Sequence, residues 1–198
     1  AGVAVDGFLM DRATTEIYTV SLHDARPIWS SRKTMAQIGA APAGGVTRRA
    51  LSDEDRIARD LLRDGALQAG FSCDVDTLGN MFIRRRGKNP HLPPVLTGSH
   101  VDSQPLGGRY DGIYGVLAGL EVLRTLNDRQ IETERDLLLV NWTNEEGARF
   151  APAMLASGVW TGQFSESLAL SRQDQAGVSV AEALQAIGYR GTPRAHAF

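Results

Sequence analysis

Five ionisable side chains stand where this chain could do chemistry: His100 and Asp102, Asp111, and the neighbours Glu145 and Glu146. His100 and Asp102 close the apolar run PPVLTGSHVD, and on a strand of period two they face the same way. An imidazole that binds a metal usually has a carboxylate or carbonyl fixing its other nitrogen, and Asp102 is placed to do that. Asp111 follows the Gly107-Gly108 turn, whose flexibility lets backbone and carboxylate approach an ion closely. Its two oxygens could bridge two cations, as in two-metal hydrolytic sites. Glu145 and Glu146 leave a second apolar run as neighbours, so their side chains diverge. One can ligate a metal while the other stays unligated as a general base.

Other readings compete at each point. An H-x-D pair occurs by chance, and a Glu-Glu dipeptide commonly opens a solvated helix. The stretch GGRYDGIYG before a helix could cradle a phosphate. It lacks the Gly-Lys-Ser/Thr ending of a P-loop, however, and its spacing is not G-x-G-x-x-G. No serine lies in G-x-S-x-G, so a nucleophile elbow is absent. What favours a metal is coincidence: all three acidic points fall at the ends of apolar strands, where open α/β folds collect ligands.

The elements that must position these groups are legible from period and punctuation. Val95 to Ser99 reads as a buried strand, and Val116, Leu117, Leu120, Leu123 and Leu126 form the stripe of the helix that follows. Asp136 to Trp142 is a second strand, running into Thr143-Asn144-Glu145-Glu146-Gly147. Upstream, Ser30 to Ile38 suggests a short helix. A longer one runs from a Ser52 cap and an acidic first turn to about Ala69, with Ile57, Leu61, Leu62 and Leu67 expected inward. CDVDTLGNMFIRRRG alternates around Leu78-Gly79-Asn80 like a strand pair. Downstream, short helices are expected near Pro152 to Ser157 and Ser179 to Ile187. Strands alternating with helices predict an α/β three-layer sandwich with a mostly parallel central sheet.

The chain has 198 residues, 21 Lys+Arg against 23 Asp+Glu, and is 42% hydrophobic, enough for one core and one domain or slightly more. This balance gives no case for nucleic-acid or membrane-surface binding, and the run Arg84-Arg85-Arg86-Gly87-Lys88 reads as a solvated loop. Cys73 is the only cysteine, which excludes an internal disulfide and makes the cytoplasm the default location. No apolar run reaches the roughly 18–20 residues of a membrane span. The first 28 residues fit nothing that follows. Ala13 to Ile28 resembles the translation of a widely used sequencing-adapter oligonucleotide, interrupted at Val20 and Arg26, so residues 1–28 are expected to be non-native or disordered. His23 and Asp24 are set aside for that reason.

From about residue 29 onward the chain resembles a group of zinc-dependent amidohydrolases, the N-carbamoyl-L-amino-acid hydrolases, β-ureidopropionases and allantoate amidohydrolases. These share a fold with dinuclear zinc exopeptidases. The matching segments are AQIGA, GGVTR, LSDEDRIARDLL, DTLGNMFIRRRG, LPPVLTGSHVDSQPLGGRYDGIYGVLAGLEVLRTLND and WTNEEGARFAPAMLASGVWTG. The resemblance implies that His100 and Glu146 each bind one of two divalent ions and that Asp111 bridges both. Zinc is the expected metal, with manganese, cobalt or nickel as alternatives. It further implies that Glu145 is the general base, that Asp102 orients His100, and that Arg149 is the candidate substrate contact. The substrate implied is a small carbamoyl or ureido compound. Asp111 is followed by Gly112-Ile113-Tyr114-Gly115, not by the Lys-Gly step of the exopeptidases, which moves the reading away from a peptidase.

Members of the group are considerably longer. A further ligand histidine, in a His-Ile-Glu-Gln-Gly motif, would come just after Phe198, and another near the far C-terminus; His196 does not match either. The lid and dimerisation domain, through which full-length relatives are implied to form homodimers, has no counterpart here. Residues 29–198 are therefore expected to be the N-terminal part of a catalytic domain and inactive alone.

Overall fold

The computed structural model describes residues 26–42 and 44–193. Residues 1–25, with His23 and Asp24, and His196 lie outside the described residues. Among the described residues ten elements follow in order: α1 (Arg26–Met35), α2 (Asp53–Gln68), β1 (Ser72–Val75), β2 (Met81–Arg85), β3 (Val95–Ser99), α3 (Ile113–Asp128), β4 (Leu137–Asn141), α4 (Leu155–Trp160), α5 (Glu166–Ser171) and α6 (Val180–Ala186). Helix α1 begins upstream of the predicted start at Ser30, and Ile28 packs against the core. Helix α5 was not anticipated; its cap is Ser165, whose side chain accepts from the Leu168 N–H.

The strands form one open sheet in the order β1-β2-β4-β3. An α/β architecture is present, but the sheet is mixed where a mostly parallel one was expected. Strands β1 and β2 are antiparallel, as their tight connection requires, and β2 meets β4 antiparallel too. Among the described residues only β3 and β4, linked through α3, run parallel, with Ser99 opposite Asn141. Strand β3 is an edge strand, so Val95 and Leu96 are exposed where a buried strand is expected. That parallel pair matters most for chemistry, because both strands deliver their carboxyl ends to the same edge.

Alternation along the strands divides the core. Met81 and Ile83 of β2 and Leu139 of β4 face a large cluster with Leu62 of α2 and Val116, Leu120 and Leu123 of α3. Phe82 and Val140 point the other way, against Trp142 and Trp160. Phe82 stacks in a tilted pair with Trp160 at 5.3 Å and meets Trp142 edge-on at 6.2 Å. The α3 stripe is buried as its period requires.

Helix α2 differs from expectation. Ser52 caps it, accepting from the Asp55 N–H, but its buried face is Asp55, Ala58, Arg59, Leu62 and Ala66. Of the four residues predicted inward only Leu62 is buried; Ile57, Leu61 and Leu67 are 47%, 39% and 51% exposed. The reason is a buried ion pair: Arg59 Nε lies 2.9 Å from Asp55 Oδ2, one turn apart, and this pair occupies the inward stripe. The arginine run is likewise only partly a loop, since Arg84 pairs with Asp136 and Arg85 donates to Asn127. Among the described residues no helix is long and apolar enough to cross a membrane.

Candidate metal centre

The end of β3 supplies the imidazole. The Nδ1–H of His100 donates to the main-chain carbonyl of Asp102 at 2.9 Å, which directs Nε2 to the opposite side. Nε2 lies 3.3 Å from Glu145 Oε2. The tight fit around the ring needs Gly112. A Cβ there would lie 2.4 Å from His100 Cε1, and the residue has φ +67°, so only glycine closes this turn.

Asp102 does more than sit beside His100. Its carboxylate is 3.6 Å from Nδ1, farther than its own carbonyl. Its two oxygens instead accept from the N–H groups of Glu145 and Glu146, at 3.3 and 3.2 Å. Asp102 therefore fixes the imidazole with its backbone and latches the β4 turn with its side chain. Burial pushes its carboxyl up to about 6, with the charge of Asp55 adding to the rise; His100 and the two N–H donors pull the other way.

The turn after β4 is shaped by its own backbone. Asn144 has φ +54° and donates through Nδ2 to the Phe150 carbonyl at 2.7 Å, and Met154 N–H donates to the Glu145 carbonyl at 2.6 Å. These bonds fold residues 144–154 back on themselves and turn Glu146 toward the end of β3. There Gln104 Nε2 donates to Glu146 Oε2 at 3.0 Å. Gln104 was not singled out from the sequence, although it continues the every-second-residue pattern of His100 and Asp102.

His100, Asp111 and Glu146 each offer a ligand atom, and these atoms all lie within 4.8 Å of one another. His100 is buried, Glu146 half-buried and Asp111 exposed, so the cluster opens to solvent on the Asp111 side. One imidazole nitrogen and carboxylate oxygens suit zinc or another first-row divalent ion, whose bonds of about 2.0–2.2 Å would need only small side-chain movements to close. The residues fit a metal.

Residues 96–186 match the family model described as Peptidase family M20/M25/M40. An N-carbamoyl-L-amino-acid amidohydrolase of Rhizobium meliloti is 48% identical over 168 residues, covering 85% of this chain and 40% of that protein. The allantoate amidohydrolase of Bacillus subtilis is 36% identical over 155 residues, 78% of this chain and 38% of that protein. A crystal structure of a hydantoinase/carbamoylase family amidase from Burkholderia ambifaria superposes with a TM-score of 0.83 at 56% identity, covering 85% of this chain and 41% of that one. Over residues 96–186 the chain resembles the M20/M25/M40 family. It spans about 40% of the length of the relatives it matches.

In this chain Arg149 is engaged internally. Its Nε pairs with Asp174 Oδ2 at 3.0 Å and Nη1 donates to the Ala50 and Leu51 carbonyls at 3.1 and 2.6 Å. The guanidinium expected to meet substrate thus anchors one loop to another. Gly147, at φ +68°, allows that loop its return, since a Cβ there would lie 2.5 Å from Ala153 N.

Proposed function

We propose that this chain is the N-terminal part of the catalytic domain of a metal-dependent amidohydrolase. Its reaction is cleavage of the C–N bond of N-carbamoyl-L-amino acids or related ureido compounds, releasing ammonia and carbon dioxide. The observation that carries this reading is the convergence of His100, Asp111 and Glu146 within 4.8 Å, with Glu145 beside them. It occurs in a chain 48% identical to an N-carbamoyl-L-amino-acid amidohydrolase.

In this reading His100, through Nε2, Asp111, on the exposed side, and Glu146 would together hold the divalent metal, zinc foremost. Bound divalent ions would supply positive charge at the scissile carbonyl and make a water acidic enough to attack at neutral pH. Glu145 stays free of the metal and takes the proton of the attacking water, then returns it to the departing nitrogen. Asp102 holds the N–H groups of both glutamates, so base and ligand keep their separate directions. Gln104, donating to Glu146, fixes which carboxylate oxygen remains available.

A second reading, a dinuclear zinc exopeptidase or deacylase, draws on the peptidase description of the matching family. Parallel assays of the full-length protein carrying this sequence, on N-carbamoyl amino acids and on dipeptides, separate the two. Turnover of the carbamoyl compounds alone, lost in Glu145→Gln, is the expected result. Turnover of dipeptides alone would replace the ureido reading with the peptidase one.

A further inference from the structure

One short segment that contributes no ligand is tied to both strand ends of the metal centre. Arg48 lies in the GGVTR stretch and is fully buried. Its Nε donates to the Val101 carbonyl, between His100 and Asp102, and its Nη1 to the Ile38 carbonyl at 2.9 Å. Its backbone pairs with Ser103 in both directions: Arg48 N–H donates to Ser103 Oγ at 3.0 Å, and Ser103 N–H to the Arg48 carbonyl at 2.9 Å. Seven residues on, Asp55 accepts from the Leu51 N–H at 2.7 Å and from Arg59. Arg59 completes the path, donating to Thr143 Oγ1 at 3.1 Å and to the Gly79 carbonyl at 2.6 Å. Thr143 stands two residues before Glu145.

We propose that Arg48, Asp55 and Arg59 form a buried brace that positions the two ligand-bearing strand ends relative to each other, Arg48 holding 100–103 and Arg59 holding 143–146. They are positioning residues, since none reaches the cluster of His100, Asp111 and Glu146. Arginine suits the task because its planar fork engages several carbonyls at fixed angles, which a flexible ammonium cannot reproduce. Removing the Arg48 guanidinium leaves the inward carbonyl of Val101 without its donor, and the chain next to His100 must move to satisfy it. Leu51, held at φ +59°, is gripped from both sides, its N–H by Asp55 and its carbonyl by Arg149, so the brace is also tied to the loop after the glutamates.

The consequence for metal binding rests on the centre proposed above; the brace itself does not. The experiment therefore has two readouts on the full-length protein: amide hydrogen exchange without metal, and cobalt(II) titration followed by its visible absorption. Arg48→Lys and Arg48→Met are compared with Arg63→Met, a change on α2 whose partners are Asp60, Asp64 and Tyr189 and neither strand end. The expected result is faster exchange at 100–103 in both Arg48 variants, with cobalt(II) affinity reduced about 10–100-fold and an altered spectrum. Arg63→Met should leave both readouts as in the parent, and the lysine variant should recover part of the loss. Should the methionine variant not fold, the lysine variant alone decides. Exchange and spectrum unchanged in a folded Arg48→Lys overturn the brace. Absence of cobalt binding in the parent protein counts against the metal centre, and the exchange readout then decides the brace alone.

Discussion

Helices α2 and α3 have the same length and flank the same core, yet they are held by different physics. Helix α3 buries Ile113, Val116, Leu117, Leu120, Leu123 and Leu126, an apolar stripe that any neighbour of suitable shape would accept. Helix α2 buries Asp55 and Arg59 beside Ala58, Leu62 and Ala66 and leaves Ile57 and Leu67 about half exposed. Apolar area fixes that a helix packs but tolerates small slides, because the attraction is not directional. A buried ion pair with fixed partners tolerates none. The helix wired to Gly79, Leu51 and Thr143 is thus the one that sets the angle and height of the strand end carrying Glu145 and Glu146.

Arg59→Met should be the most damaging single change, because it strands Asp55 as an uncompensated buried charge, at a cost of about 3–5 kcal/mol in urea unfolding. Pairing it with Asp55→Leu should return much of that stability without restoring the site. A loss under about 1 kcal/mol for the single change would show that α2 is held by area after all. In α3 the same measurement on Leu123→Ala should give about 2–5 kcal/mol, the transfer and cavity cost of a buried leucine. Metal affinity should change less there than in Arg59→Met.

Cys73, in the strand packed beneath α2, probes how dry that interface is. Burial, with Asp74 adding, pushes its thiol up to about 11, and Arg63 of α2 pulls it down slightly. The thiolate fraction near pH 8 is then on the order of 100-fold below that of the unfolded chain, and alkylation should slow by a similar factor. The contribution to stability is complete below about pH 8.5, where both states hold the proton, and is lost as pH rises through 11. Alkylation as fast in the native protein as in urea would contradict this packing. Smallest of all, Leu61→Gln on the outer side of α2 should change stability by no more than about 0.5 kcal/mol.

The two helices also show what could be read from sequence and what could not. The α3 stripe, the β1–β2 hairpin and the strands ending at Ser99 and Asn141 carry their own period or punctuation. In α2 the same rule chose the wrong face, because Ile57, Leu61 and Leu67 have helical spacing too, and nothing local reveals that Asp55 and Arg59 find each other inside. Strand direction differs for a related reason: alternation of strands and helices suggests parallel pairing, whereas the β1–β2 hairpin enters the sheet with β2 antiparallel to β4, a pairing across more than fifty residues that leaves no local signal. In the candidate site, the strand-end rule drew attention to His100, Asp111 and Glu146, and the structure brings these three together. The latch from the Asp102 carboxylate to the Glu145 and Glu146 N–H groups joins residues more than forty positions apart and leaves no trace in spacing. Arg149 illustrates the reverse, a charged residue in a promising motif whose partners turn out to be Asp174 and two carbonyls.

The most direct test of the central claim compares the two adjacent glutamates in zinc affinity, measured by competition with a chromophoric chelator on the full-length protein. Glu146→Gln should weaken zinc binding at least about 10-fold, while Glu145→Gln should leave it near that of the parent. Equal effects from both changes, or none from either, would contradict a centre in which Glu146 holds the metal and Glu145 is kept free for the proton.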